Sequence, residues 1–161
     1  MQHVDHPFPP VVDENCRILI LGSFPSVRSR EEGFFYGHPQ NRFWRVLAAV
    51  FNEAIPADVP SKKAFLLRHH IALWDVIASC EISGSSDASI RNAVPVRISR
   101  VTNSAHIKKV ICNGTLAFKL YQRHLESAVG IKAAALPSTS PANAACSLEK
   151  LTQIWRNALL Q

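Results

Sequence analysis

Two short stretches hold most of the residues that could do chemistry. The first is Gly22-Ser23-Phe24-Pro25-Ser26, followed after a gap by Gly33-Phe34-Phe35-Tyr36-Gly37-His38-Pro39-Gln40-Asn41-Arg42-Phe43-Trp44. It is crowded with aromatics, amides and a histidine, and it is poor in charge after Glu32. That mixture suits a pocket for a flat, polar, uncharged ring. Three successive aromatics cannot all turn inward from a loop, so at least one of Phe34, Phe35 and Tyr36 is expected to line a cleft. Stacking a base on such a ring is worth about 1–3 kcal/mol. The second stretch is Leu136-Pro137-Ser138-Thr139-Ser140-Pro141-Ala142-Asn143. Its hydroxyls and backbone N–H groups suit phosphate oxygens, and prolines stiffen both stretches. Asp75 is one of few acids near them and could be a catalytic acid, a hydrogen-bond anchor for the loop or a helix cap. His38 could help a proton move, or simply bond to backbone. Residue chemistry alone therefore points to a nucleotide or base pocket.

The elements that must position these residues alternate along the chain. Residues 17–22 form a short apolar run closed by glycine, a buried strand. In an open α/β sheet, ligands bind outside the carboxyl ends of the strands, which is where the first stretch begins. Phe43, Leu47, Val50 and Phe51 recur at helical spacing, predicting a helix over 41–52. Asn41 would stand at its start, where an asparagine side chain caps free backbone N–H groups. A second helix is predicted over 61–70 with Ser61 as cap, and a second strand over 71–76. Residues 81–90 read as a loop, and 90–105 as one or two short helices around Pro95. A third strand is expected over 108–114, a helix over 115–127 and a fourth strand over 131–136. The last helix, 146–160, carries Leu148, Leu151, Ile154, Trp155, Ala158 and Leu159 on one face. Residues 1–15 hold Pro7, Pro9 and Pro10 and should be extended on the surface. Strand–helix alternation of this kind predicts an α/β protein, a three-layer α/β/α sandwich with a central four-stranded parallel sheet.

The bulk properties set the bounds. With 161 residues, one domain is expected, long enough to hide roughly 70% of its unfolded surface. The 47% hydrophobic and 19% charged fractions are those of a globular chain. A net charge of +6 and a pI near 9.5 fit either a polyanionic partner or a solvated basic surface. Cys16, Cys80, Cys112 and Cys146 form no CxxC pair, so no metal or cluster site is expected. No run approaches the roughly 20 apolar residues that span a bilayer, and no signal pattern opens the chain. A cytoplasmic protein without a membrane partner is the expectation. Dinucleotide and P-loop glycine patterns and the GxSxG elbow are missing. Ser147-Leu148-Glu149-Lys150 matches SxxK only by chance in an amphipathic helix.

The two stretches together resemble the two active-site motifs of the uracil-DNA glycosylase superfamily, and Trp74-Asp75-Val76 and Gly84-Ser85-Ser86-Asp87 are also similar to one branch of it. The full pattern is most similar to its hypoxanthine (deoxyinosine) branch, and the likeness runs from about residue 16 to 160. The resemblance implies a monofunctional glycosylase acting on DNA with deaminated bases, without cofactor, metal or iron–sulfur cluster, and as a monomer. It implies a base site of Phe24, Phe35, Tyr36 and Asp75, with Tyr36 stacking on the flipped base. Ser26, Ser138, Thr139, Ser140 and Asn143 would grip phosphates, Asn143 and Ala142 would press into the vacated space, and Arg91, Arg97 and Arg100 would reach more distant backbone. Asn41 would hold the attacking water through its amide oxygen, with His38 beside it. Two departures stand out. Ser23 occupies the place where uracil-removing branches carry an asparagine or aspartate, and Ser138 the place where they often carry a histidine or asparagine. A mismatch-type uracil or thymine glycosylase, a non-catalytic nucleic-acid-binding module and a hydrolase of free nucleosides are the rival readings.

Overall fold

A computed structural model describes all residues, Met1–Gln161. The apolar runs pair as expected. β2 (Ile18–Gly22) lies between β3 (Ile71–Asp75) and β6 (Lys109–Asn113), and β7 (Ala134–Leu136) adds beyond β6. All three pairings are parallel. Leu19, Ile20 and Leu21 are fully buried, as near-continuous hydrophobic strands of a covered parallel sheet should be. Between β2 and β3 run α1 (Val27–Glu32), α2 (Phe43–Phe51) and α3 (Val59–Arg68). α4 (Ser99–Thr102) precedes β6, and α5 (Thr115–His124) and α6 (Glu126–Val129) link β6 to β7. α7 (Leu148–Leu160) closes the chain and packs on α2, where Trp155 meets Phe43 edge to face. The register Gly22↔Asp75 and Asn113↔Leu136 brings the strands' carboxyl ends to one edge of the sheet. The strand order reverses beside β2, so this edge is a topological switch point.

Several expectations need correction. The cap of α3 is Asp58, whose side chain accepts from the Ser61 N–H. Residues 77–95 build a second sheet that periodicity did not indicate. β4 (Ile77–Ile82) pairs antiparallel with β5 (Arg91–Pro95) on one side and with β1 (Gln2–Asp5) on the other. The expected helices over 90–105 reduce to α4 alone. The N-terminal segment is extended but firmly held: beyond β1, Val11 exchanges both backbone hydrogen bonds with Leu73, and Phe8 and Val11 enter the core. No helix is long and apolar enough to cross a membrane.

Candidate active site

A cavity of about 540 Å³ opens at the carboxyl edge of the parallel sheet, within the roughly 300–1,000 Å³ usual for small-molecule sites. Gly22, Asp75 and Asn113, the last residues of three parallel strands, form part of its lining. The rest comes from α1 and the loops on either side of it, from the loop after β7 and from the loop joining β4 to β5. Gly22 permits this convergence. A Cβ there would stand 2.5 Å from an Asp75 carboxylate oxygen and 2.7 Å from the Tyr36 hydroxyl.

The two polar stretches meet directly. The Thr139 hydroxyl donates to Asn41 Oδ1 at 2.9 Å and accepts from Asn113 Nδ2 at 3.0 Å. The Thr139 N–H donates to Asn113 Oδ1, and its carbonyl accepts from the Arg42 N–H. The Arg42 guanidinium ties the later loop further, donating to the carbonyls of Ser140, Asn143 and Cys146. Thr139 is fully buried with every polar group engaged, so the phosphate-gripping role expected for it is corrected to that of a clamp. Ser26 caps α1: its hydroxyl accepts from the Ser29 N–H and donates to the Ser29 hydroxyl. The Asn143 amide folds back onto the Ser138 carbonyl. Ser138 and Ser140 stay half-buried in the cavity wall, each hydroxyl accepting one backbone N–H. Arg97 and Arg100 are exposed, and Arg91 turns its guanidinium to the Ala88 and Ile90 carbonyls.

Asn41 lines the cavity as expected, but its polarity differs from the expected one. Its Oδ1 accepts from both the Phe43 N–H and the Thr139 hydroxyl. The oxygen assigned to water is therefore saturated, and it holds the first N–H of α2 and the later loop instead. The amide nitrogen has no partner in the protein and is the group Asn41 offers a ligand. His38 Nδ1 similarly accepts from the Gln40 N–H, leaving Nε2 free.

Of the aromatics, Phe34 and Phe35 turn into the core, with Phe35 still touching the cavity. Tyr36 lines it from a left-handed backbone, φ 54°. Its ring stacks on Phe43 at 4.1 Å, and its hydroxyl is buried without a hydrogen-bond partner. Burial drives that phenol well above its ordinary pKa, with the Asp75 charge adding to the rise. Phe24 borders the cavity with its ring edge-on to His6. Asp75, 3% exposed, pairs with His6 Nε2 at 2.8 Å, so its carboxylate holds the N-terminal segment rather than the loop after β2.

Two residues escaped the sequence reading, and a third, Asp87, stood in a family-like stretch without an assigned role. His6 lies in a segment read as a surface tail. Asn113 looked like the end of a strand before a glycine turn. Asp87, in a 3-10 turn (Asp87–Ser89), receives the Ser23 hydroxyl at 3.2 and 3.3 Å on its two oxygens. Asp87 keeps an edge open to solvent. The surrounding wall nevertheless raises its pKa by desolvation, against the Ser23 hydrogen bond and with help from the Asp75 charge.

A parallel α/β sheet with a cavity at its switch point defines the class of open α/β proteins that hold a ligand beyond the carboxyl ends of their strands. The family model of the uracil DNA glycosylase superfamily matches residues 9–159, and the chain belongs to that superfamily. It is 35% identical to a hypoxanthine DNA glycosylase of Methanosarcina barkeri over 153 residues, covering 94% of this chain and 95% of the relative. It is 37% identical to one of Methanosarcina acetivorans over 138 residues, 84% of this chain and 86% of the relative. A provisionally named uracil DNA glycosylase from Methanosarcina acetivorans, solved by solution NMR, superposes with a TM-score of 0.80 at 30% identity, covering 99% of this chain and 100% of that one.

Proposed function

We propose that this protein is a monofunctional DNA glycosylase that hydrolyses the N-glycosidic bond of a deaminated base, hypoxanthine being preferred. The observation that carries the reading is the cavity itself: an aromatic ring, an outward amide and two serines converge at the sheet edge. The names of the Methanosarcina relatives support the choice of base. The target base must leave the stack, at a cost of a few kcal/mol that is least for a mispaired base. Deamination weakens pairing, so selection begins before the pocket is reached. Tyr36, backed by Phe43, is the stacking platform, with Phe24 and Phe35 beside it. Asp75 supports the floor beneath.

As the bond breaks, negative charge grows on the base and positive charge on the sugar. Rate is gained only from contacts that favour that distribution over the ground state. The backbone N–H groups of Ser23, Phe24 and Ser26 have no partner in the protein. With the Asn41 amide nitrogen they form a set of donors for the departing base. His38 Nε2 extends that set. The Ser138 and Ser140 hydroxyls, with a proton each to give, hold the phosphates of the flipped nucleotide. The test is excision from duplexes containing hypoxanthine, uracil, xanthine or a thymine mismatch. Abasic sites form fastest in the hypoxanthine duplex, at the hypoxanthine position, on this reading. Preference for uracil makes it a uracil glycosylase, and binding without any excision makes it a non-catalytic module.

A further inference from the structure

Hydrolysis at the sugar carbon needs an acceptor for a proton of the attacking water, and few acceptors in the cavity are open. Asn41 Oδ1 takes two hydrogen bonds already. His38 Nδ1 takes one from Gln40. The Thr139 hydroxyl is buried and engaged on both sides. Asp75 is buried against His6, with its other oxygen tucked beneath Gly22. Asp87 differs from all of these. It lines the same cavity, keeps a solvent-facing edge, and is held in place by one hydroxyl, that of Ser23. A carboxylate offers about four lone-pair sites, so the Ser23 contact leaves most of them free.

We infer that Asp87 is the general base of this enzyme, with Ser23 as its positioning residue. The inference rests on the glycosylase reading. In the step, the C1′–N bond breaks and its electron pair leaves with the base. The water oxygen bonds to C1′ while one of its protons passes to the Asp87 carboxylate. That proton then returns to solvent, and the base anion takes one up, so a water is consumed and nothing else. The carboxylate charge also opposes the positive charge developing on the sugar.

The protein's pH profile follows from this. The Asp75 carboxylate, the Tyr36 phenol and the Cys80 thiol of β4 are the titratable groups whose charges couple to Asp87. Excision is present where Asp87 is ionised and falls as pH drops through its raised pKa. The test uses the full chain in single-turnover excision across pH, beside duplex binding by fluorescence anisotropy. General-base loss is worth about 10²–10⁴, so Asp87→Asn should cut the rate about 100-fold or more and abolish the acidic limb. Its duplex Kd should stay within about threefold. Ser23→Ala should cost about tenfold or less and keep the limb. An Asp87→Asn rate within about threefold of wild type overturns the inference. So does a Ser23→Ala enzyme as slow as Asp87→Asn, because the carboxylate would then only brace the loop. Wild-type protein inactive on every duplex removes the glycosylase reading itself, and the base with it.

Discussion

At the scale of single residues, the site depends on which atoms are already occupied. Asn41 illustrates it: spacing and type placed it correctly at a helix start, yet a side chain with two functional ends can serve structure with one and a ligand with the other. Asn41→Asp preserves both acceptor bonds to Phe43 and Thr139 while deleting the free donor. That substitution should leave the melting temperature near wild type and lower single-turnover excision by about 10²–10³, the range for losing one donor to a developing anion. Asn41→Ala would confuse the two, since it also frees the Phe43 N–H and strands the Thr139 hydroxyl. Thr139 was legible as a polar loop residue but not as a clamp, because its partners lie 26 and 98 positions away in sequence. Asp87 stood in a stretch similar to the family, but its contact with Ser23, 64 positions away, was hidden for the same reason. Nothing in a loop without periodicity says that its carboxylate will close on Ser23.

At the scale of elements, the four parallel strands were visible because each is a short apolar run bounded by turn residues, and both faces of that sheet are covered. The antiparallel sheet was not visible. β4 mixes Ser79, Cys80 and Glu81 among its isoleucines, β5 ends at Pro95, and the pairing between them slips register twice. Its third member, β1, joins from the far N-terminus. These pairings are tertiary facts, decided by what covers what rather than by local pattern. The same sheet carries the loop that presents Asp87, so the missing sheet and the missing base are one omission. β1 also delivers His6 to Asp75, both side chains 5% exposed. His6→Ala would leave a buried carboxylate oxygen without its partner. The expected loss is about 1–3 kcal/mol in urea unfolding, larger than any effect of His3→Ala, whose ring is exposed beside Asp5.

At the scale of the whole molecule, the +6 charge gives the binding energy its character. Contacts to phosphate release counterions, so the logarithm of the duplex association constant should fall linearly with that of salt concentration. An anisotropy titration between about 50 and 200 mM salt checks this, with a loss of at least about tenfold expected for a handful of phosphate contacts. A salt-independent affinity would mean that the base pocket alone holds the ligand. The architecture has one more consequence, for the order in which the molecule matures. His6 and Asp75 are 69 positions apart, and β1 reaches its place only by docking on β4. A chain emerging from the ribosome therefore cannot finish the floor of its pocket until Ile82 is free to pair. Until then the growing polypeptide carries its first strand unpaired.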